Sequence, residues 1–449
     1  MTPPETKKLG LWTATSLVVG NMIGAGVFLM PAALAAFGSV SLLGWLFSAI
    51  GSFLLAKVFS NLSRLLPNAT GGPYAYTRQG LGEFPAFLAG WGYYLATSCA
   101  NAAITISFVS ALSTFIPALS ANPAAAAATG LGTVWLLTAI NTRGVLLSGK
   151  LQLITTILKL LPLAIISIAG LFFIHAENFH PFNGTHDTIL GAITTTATMT
   201  MFSFVGIESA TVPSGSVADP ARTIPRATLL GLLIATTVYI LSSITIMGLI
   251  PSTQLQHSPT PFADAATTIF GHGSRYWVSA GIAIAAFGAL NGWTLVQSQM
   301  PYAIARDGLF PRLFTRTNSR GVPYIGLLVN STIVSLLIAM NYTSALVEQF
   351  RFLLLLSVFA MLVPYLFTTA AYVILYLTRP TTTQTPSPQT SNPLPKRSTL
   401  TIAILGLLAF TYTLWEIIGA GPTAVFHGFI LLMAAVPLYV WTRRESSNP

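Results

Sequence analysis

Twelve long apolar runs constrain this chain more than any other sequence feature. A helix that crosses the hydrocarbon core of a bilayer needs about 20 predominantly apolar residues. The runs do not alternate in segments of about ten residues, as the strands of membrane β-barrels do. We therefore predict an all-α polytopic membrane protein whose helices lie approximately at 11–36, 41–66, 84–116, 124–142, 150–174, 189–213, 226–250, 275–300, 323–341, 351–377, 399–419 and 422–442.

The charged fraction supports the same class. Charged residues make up 7% of the chain and hydrophobic residues 53%, whereas soluble domains carry about 25% charged residues. The net charge of +10 is explained by membrane topology, so the lipid bilayer is the expected surrounding and no nucleic acid is expected as a partner. The single cysteine, Cys99, excludes a disulfide framework. The first run is read as a retained helix because no small-residue cleavage site follows it.

Positive charge is distributed very unevenly between the two sides of the membrane. Cytoplasmic loops carry an excess of Lys and Arg. With a cytoplasmic N-terminus, the outer side keeps only Arg275 and Arg351 among the charges that flank the runs. We therefore predict that both termini are cytoplasmic. The residues on that side are then Lys7, Lys8, Arg64, Arg78, Arg143, Lys150, Arg222, Arg226, Arg306, Arg312, Arg316, Arg320, Arg379, Lys396, Arg397, Arg443 and Arg444.

Two of the runs contain sequences that interrupt a helix. The first carries GNMIGAG at 20–26 and the sixth carries SFVGIES at 203–209. Each glycine costs about 1 kcal/mol inside a helix, and a break in hydrocarbon must be buried in protein or line a cavity. Interrupted helices at matching places in two halves indicate a transporter site. Close packing through small residues is the alternative for the first stretch.

The positions of the breaks predict how the chain is divided. Runs 1 and 6 lie five apart, which favours a five-plus-five inverted repeat with discontinuous helices 1 and 6. We predict a transport core at 1–377, with helices 1–5 at about 11–174 and helices 6–10 at about 189–377. A Pro/Thr/Ser-rich cytoplasmic linker follows at 378–398. Two extra helices and a cytoplasmic tail occupy 399–449.

Four ionisable residues lie inside apolar runs: Lys57, Lys159, Glu208 and Glu416. Such residues are costly and by default mark function. Lys57 and Glu416 are close enough to run ends that we expect them to reach the interface. Glu208 could attract a cationic ligand, carry a proton or brace a gate. Lys159 could hold an ammonium group where other proteins hold a metal cation, or carry a proton. Alternatively, both pair structurally, with each other or with freed backbone carbonyls.

Aromatic and polar residues recur at helical spacing near the breaks. Tyr93 and Asn101 lie eight apart on run 3, and Ser357 and Tyr365 lie eight apart on run 10. Trp293 lies in the middle of run 8, where its face could hold a cation. Taken singly, each is more often structural. The chain has no Gly-x-Ser-x-Gly elbow, His-Glu-x-x-His motif or phosphate loop. We therefore expect a protein that is not an enzyme and has no metal or cofactor.

Five ordered motifs resemble those of the amino acid–polyamine–organocation transporters. Within that superfamily the chain is similar to the basic amino acid/polyamine antiporters, most closely to the bacterial arginine/agmatine antiporters and also to lysine/cadaverine antiporters. The motifs are GNMIGAGVF at 20–28, GGPYAY at 71–76, FVGIESA at 204–210, DPARTIP at 219–225 and ARDGLFP at 305–311.

The resemblance implies a LeuT-like fold in the inner membrane whose two breaks bind the amino and carboxylate groups of a substrate. It assigns an inner gate to Tyr93, Glu208 and Tyr365, and Tyr74 to a pH-sensing cytoplasmic region. Lys159 resembles a helix 5 lysine of proton-coupled relatives, whose ammonium replaces a sodium ion. The implied substrate-binding residues are Met22, Ile23, Gly24, Ala25, Gly26, Thr97, Asn101, Ile104, Phe202, Val205, Gly206, Ile207, Trp293 and Ser357.

Three positions depart from the arginine/agmatine pattern. Phe202 replaces a gating tryptophan, Ala25 replaces a serine and Ile104 replaces a methionine. The expected function is exchange of a basic amino acid for its decarboxylated amine by alternating access, with an amino acid or polyamine as the small-molecule partner. A proton-coupled amino acid symporter using Lys159 is the alternative. Participation of protons in the exchange and a homodimeric state are both left open.

Overall fold

The computed structural model describes residues 8–24, 26–258, 260–340, 346–378 and 399–447. Within these ranges the chain is helical, and its β pairing is one bridge between Leu9 and Val217. The helices are α1 (Leu11–Met22), α2 (Gly26–Ala35), α3 (Ser41–Leu65), α4 (Pro73–Leu81), α5 (Glu83–Ser113), α6 (Ala118–Ala121), α7 (Pro123–Asn141), α8 (Val145–Gly170), α9 (Ile189–Phe204), α10 (Pro220–Leu249), α11 (Ser252–Leu255), α12 (Pro261–Phe270), α13 (Ser274–Arg306), α14 (Tyr324–Met340), α15 (Leu346–Leu377), α16 (Thr399–Gly419), α17 (Pro422–Met433) and α18 (Val436–Ser447).

The helices confirm the predicted class of polytopic membrane protein. In the described residues, ten helical stretches are long and apolar enough to cross a membrane. Two shorter apolar helices, Ile189–Phe204 and Tyr324–Ala339, fall on predicted runs 6 and 9. The total of twelve crossings and the inverted repeat stay predictions, as does the division into a core and an added pair. Most of the predicted linker, at 379–398, lies outside the described residues.

The first predicted break is present. The α1 helix ends at Met22, and Ile23 leaves the helical conformation with φ −80° and ψ 76°. The N–H of Gly24 then donates to the carbonyl of Met22 rather than to that of Gly20. The next helix begins at Gly26, and Ala25 lies outside the described residues. The break therefore frees backbone carbonyls at the end of α1.

The second predicted break is also present, and it is longer than the sequence indicated. The α9 helix ends at Phe204, and Gly206 has φ +113°, a conformation that side chains with a Cβ rarely adopt. Residues 205–213 form successive turns rather than a second α-helical half. Within these turns, the N–H of Thr211 donates to the carbonyl of Glu208 at 2.7 Å.

The two breaks lie directly against each other. A Cβ added at Gly206 would lie 3.1 Å from the Cβ of Asn21 and 3.3 Å from the backbone nitrogen of Met22. The Asn21 Nδ2 donates to Ser209 Oγ at 2.9 Å. Helix α1 is enclosed by α8, α10 and α13. The break region is therefore buried in protein, as unpaired backbone at membrane depth requires.

The last helices pack closely on the rest of the bundle. Helix α16 contacts α3, α9 and α15, and α17 contacts α15. The expectation that Glu416 reaches the interface is wrong, because its side chain is 2% exposed. The stripe Ile402, Gly406, Ala409, Thr413 and Glu416 faces inward, so Glu416 lies on the buried side of α16.

Replacement of Gly206 by alanine tests this packing. We expect Gly206→Ala to lower the melting temperature of the purified protein, since it combines a positive φ with a close approach to α1, and such strain costs about 1–3 kcal/mol. The matched control is Gly132→Ala on α7, where nothing lies within 4 Å of an added Cβ. Equal melting temperatures for the two variants would contradict the contact between the breaks.

Candidate substrate site at the helix breaks

Lys159 satisfies the carbonyls that the first break leaves free. Its Nζ donates to the carbonyl of Gly20 at 2.7 Å and to that of Ile23 at 2.5 Å. The side chain is completely buried on α8. Cations are stabilised at the C-terminal end of a helix, where unsatisfied carbonyls carry partial negative charge. The structure therefore shows Lys159 in contact with the freed carbonyls of the first break.

Glu208 joins the second break to two further helices. Its carboxylate accepts from the Tyr93 hydroxyl of α5 at 2.8 Å and from the Tyr365 hydroxyl of α15. The Gly206 N–H in turn donates to the Tyr365 oxygen at 3.4 Å. All three side chains are completely buried. The residues that the resemblance assigns to a gate are therefore one hydrogen-bonded group, and within the described ranges Glu208 forms no ion pair.

Trp293 lies between the first break and this tyrosine–carboxylate group. Its indole Nε1 donates to the carbonyl of Asn21 at 3.3 Å. Its ring centroid lies 6.5 Å from that of Tyr93. The side chain is 2% exposed. An aromatic face is thus present within the same buried region as the only carboxylate of the second break.

Several predicted polar residues already donate hydrogen bonds, either within their own helix or to a neighbouring one. Thr97 Oγ1 donates to the carbonyl of Tyr93 at 2.8 Å, and Ser357 Oγ donates to the carbonyl of Ala96 at 2.7 Å. Asn101 Nδ2 donates to Gln297 Oε1 at 2.5 Å. The Asn101 Oδ1 is buried without a hydrogen-bond partner in the described structure, so it is the part of this set that is free to accept from a ligand.

Sequence reasoning missed Gln297 and the cluster around it. Gln297 is completely buried on α13, and it accepts from both Asn101 and Asn330 and donates to Ser98. Its position four residues after Trp293 places it on the same helix face. The four-residue spacing from Trp293 could therefore have pointed to Gln297 in the sequence. These hydrogen bonds connect α5, α13 and α14 beside the breaks.

Asn21 was also missed, although it lies inside the first motif. Its Nδ2 bonds Ser209 and its carbonyl accepts from Trp293. Its Oδ1 is buried with no hydrogen-bond partner among the residues that the structure describes, and it lies 2.0 Å from where a Cβ on Gly292 would be. A side chain at position 292 is therefore excluded, and Asn21 offers an unpaired acceptor at the level of the break.

The remaining predicted residues line the breaks with apolar groups. Ile104 Cδ1 lies 4.0 Å and Ala289 Cβ 3.3 Å from where a Cβ on Gly24 would be. Phe202 is half-buried, and its carbonyl accepts from Val205 N–H at 3.2 Å. The other predicted apolar residues that are buried at the two breaks are Met22, Ile23, Val205 and Ile207.

Tyr74 lies apart from the breaks, in a group of charged residues. Its hydroxyl donates to Asp307 Oδ2 at 2.8 Å, and Arg78 Nη1 lies 3.1 Å from Asp307 Oδ1. Burial, followed by the Asp307 carboxylate, raises the pKa of Tyr74 well above its ordinary value. Tyr74 is therefore protonated at neutral pH. A pH response near neutral pH would therefore not arise from ionisation of the Tyr74 hydroxyl.

The break region is closed in this conformation. The side chains of Tyr93, Glu208, Trp293 and Tyr365 are at most 2% exposed. A cavity of about 380 Å³ lies elsewhere, between the end of α5, helix α12 and the start of α13. Its polar lining includes Thr114, Asp264, His272 and Arg275. The side chains of Trp293 and of the predicted gate residues are thus buried in this structure, away from the cavity.

A family comparison decides what class of protein has this arrangement. The model of the family described as "Amino acid permease" matches residues 9–442. This chain belongs to the amino acid permease family. The permease is therefore a multi-pass membrane transporter and not an enzyme, and the predicted superfamily is confirmed.

Individual relatives are antiporters of amino acids and amines. The permease is 37% identical over 326 residues to the "Cadaverine/lysine antiporter" of Escherichia coli (strain K12), covering 72% of this chain and 73% of the relative. It is 28% identical over 462 residues to the "Arginine/agmatine antiporter" of Chlamydia pneumoniae, covering 99% of this chain and 92% of the relative.

A solved structure supports the fold independently. The Eremococcus coleocola manganese transporter superimposes with a TM-score of 0.58 at 14% identity, covering 96% of this chain and 94% of that one. At this identity the likeness concerns the fold alone. The permease thus shares its helix arrangement with a transporter whose name refers to a different cargo.

Loss of the Lys159 ammonium should destabilise the permease. We expect Lys159→Met to lower the melting temperature, because two buried carbonyls lose their donor and each such loss costs about 1–3 kcal/mol. Lys57→Met is the matched control, since Lys57 is half-buried and its Nζ lies 5.1 Å from the Phe53 ring centroid. A Lys159→Met protein as stable as the control would show that the carbonyls do not depend on this side chain.

Proposed function

We propose that this permease exchanges a basic amino acid for its decarboxylated amine across the bacterial inner membrane, by alternating access. The observation that carries the proposal is the buried Glu208 carboxylate, held by two tyrosine hydroxyls beside both breaks and lacking a cationic partner in the described residues. A carboxylate at membrane depth without a cation is a natural counter-ion for a cationic substrate. The names of both antiporter relatives pair an amino acid with an amine.

The two ends of the first break suit opposite ends of an amino acid. Freed carbonyls at the end of α1 attract an ammonium group, and the N-terminal end of α2 at Gly26 attracts a carboxylate. The decarboxylated amine lacks the carboxylate but keeps the side-chain cation. A site that accepts both must therefore hold the shared cation firmly, and Glu208 and Trp293 are the groups we assign to it.

The exact substrate pair is the finer part of the proposal. An arginine/agmatine-like pair needs a surface on which a guanidinium plane can stack, and Trp293 supplies one. Phe202 keeps a ring but has no N–H donor, and Ala25 and Ile104 replace polar or flexible groups that the arginine/agmatine pattern has at these positions. These changes would also suit a primary ammonium such as that of lysine. We propose that the predicted substrate-binding residues are the positions at which substitutions would test the substrate pair. We also propose that both termini are cytoplasmic.

A proton-coupled symporter is the second candidate, and Lys159 is the observation that favours it. Its ammonium bridges two carbonyls of the first break, so loss of its proton would loosen the end of α1. Proteoliposomes separate the two functions. An exchanger takes up labelled substrate only into vesicles preloaded with substrate, whereas a symporter accumulates it in empty vesicles under a proton gradient. Accumulation in empty vesicles that is lost in Lys159→Ala would favour the symporter.

Neutralising Glu208 should impair transport of cations. We expect Glu208→Gln to slow counterflow of labelled arginine, lysine and their amines, because the substrate cation loses its counter-charge. The control is Glu177→Gln, whose carboxylate is exposed and lies 3.7 Å from His175. Equal rates for Glu208→Gln and the control at every pH tested would argue against a charge role for Glu208.

Removing the Trp293 ring should weaken substrate binding. A cation over an aromatic face is stabilised by about 0.5–2 kcal/mol, so Trp293→Ala should raise the half-saturating substrate concentration about two- to thirty-fold. Trp293→Phe should recover part of the loss. The control is Trp135→Ala on α7, whose side chain is 42% exposed. Unchanged affinity in Trp293→Ala would remove the stacking role.

A further inference from the structure

Glu416 is a buried acid that the proposed transport site does not use. It lies one turn before the end of α16, with its side chain 2% exposed. Neither carboxylate oxygen has a hydrogen-bond partner among the described residues. Groups so placed inside a membrane protein are rare and by default functional. This carboxyl therefore differs from Glu208, which two hydroxyls hold.

Close helix packing builds the surroundings of Glu416. An added Cβ on Gly51 of α3 would lie 2.1 Å from the Tyr412 ring, and one on Gly419 would lie 2.1 Å from Thr198 Oγ1 of α9. Tyr412 and Thr198 are the polar side chains beside the carboxyl. The Tyr412 hydroxyl is directed instead to Met201 Sδ at 3.2 Å and to the carbonyl of Ser48 at 3.5 Å.

The helices packed against α16 bring few charges to this carboxyl. Helix α9 has no ionisable residue. The basic residues of α3, Lys57 and Arg64, lie nine residues or more beyond Ser48 along that helix. On α17, His427 is exposed and bonds the carbonyl of Thr423 through Nδ1.

Helix α15 brings tyrosines that already have partners, and its charged residues lie further out. Tyr365 donates to Glu208, and Tyr372 accepts from Asn61, while Tyr376 donates to the carbonyl of Asn61. Gly406 of α16 lies against Val373, so in these antiparallel helices Glu416 is level with about residue 363. The other charged residues of α15, Glu348 and Arg351, then lie about 18 Å or more beyond it along the helix axis.

We propose that Glu416 is a proton-binding site, separate from the substrate site. An ionised carboxylate that is buried without a cationic partner is far more costly than the neutral acid. The neutral acid also gains a hydroxyl that can donate to the oxygen of Tyr412 or Thr198. Binding is the simple equilibrium in which a carboxylate and a proton from water form a carboxylic acid.

The position of Glu416 places its proton beside helix α9, which leads into the second break. Helix α9 is the helical part of the interrupted run, and α16 packs directly on it. If α9 moves during alternating access, the surroundings of Glu416 change with it, and water from one side can take or supply the proton. This inference goes beyond the proposed exchange, because it involves neither Glu208 nor Lys159.

Difference infrared spectroscopy on the purified full-length protein tests the proton site without any transport assay. As the pH is raised, the wild-type protein should lose a carboxylic-acid C=O band. Glu416→Gln should lack this band at every pH. The control Glu177→Gln should show the band and its pH dependence as the wild type does. Glu416→Asp keeps a carboxyl group and should therefore show the band at a shifted frequency. This variant keeps the test decisive if Glu416→Gln fails to fold. The same carboxylic-acid bands in wild type and Glu416→Gln across the pH series would overturn the proposal.

Transport gives a second readout. In proteoliposomes at fixed internal pH, exchange by Glu416→Gln should vary less with external pH than wild-type exchange, whereas Glu177→Gln should keep the wild-type profile. A Glu416→Gln profile parallel to that of wild type would contradict the coupling. A protein that shows the Glu416 band but exchanges no substrate would keep the proton site and contradict the proposed function instead.

Discussion

The need to satisfy backbone polar groups inside a bilayer governs this structure. In hydrocarbon an unpaired N–H or C=O costs several kcal/mol, and water is not available to replace a lost partner. Helix α1 nevertheless ends at Met22, within a membrane-spanning stretch. The Lys159 ammonium, bound to the carbonyls of Gly20 and Ile23, makes this ending possible. The contact of Gly206 with Asn21 and Met22 then covers the exposed backbone from the other side.

The same constraint accounts for the hydrogen bonds of the predicted gate, which is built from two hydroxyls and one carboxylate. Glu208 is held by Tyr93 of α5 and Tyr365 of α15, and the second of these also accepts from the broken segment itself. These bonds join the second break to α5 and α15. A cationic substrate next to Glu208 would compete with the tyrosines for the carboxylate. Substrate binding and opening of the proposed gate would then both depend on the carboxylate oxygens of Glu208.

Much of the membrane fold was predictable because it depends on local properties of the sequence. Apolar runs give the spans, and the glycines at 20, 24 and 206 give both breaks. The use of individual polar side chains was not predictable, since it depends on contacts across the bundle. Asn101 and Ser357 have their partners on Gln297 and Ala96, which lie far away in sequence or on another helix.

The burial of Glu416 could have been predicted from its spacing along α16. Distance from the run end suggested that the carboxyl reaches the interface. Helical spacing, however, places it on the same face as Gly406, Ala409 and Thr413, and small residues at such spacing favour close helix contact. The rotation of α16 about its axis, rather than the depth of the residue, decides its environment. The length of the second break was unpredictable for a different reason. The turns at 205–213 contact α1 through Gly206 and Ser209, and the N–H of Gly71 donates to the carbonyl of Val212.

A structure of the permease determined experimentally with a saturating basic amino acid would test the central claim most directly. The account predicts ligand density between the first break at 22–26 and the second at 204–208, with the cationic end near Glu208 and the Trp293 ring. Density confined to the cavity beside Asp264 and Arg275, or helices that run unbroken through both stretches, would contradict it.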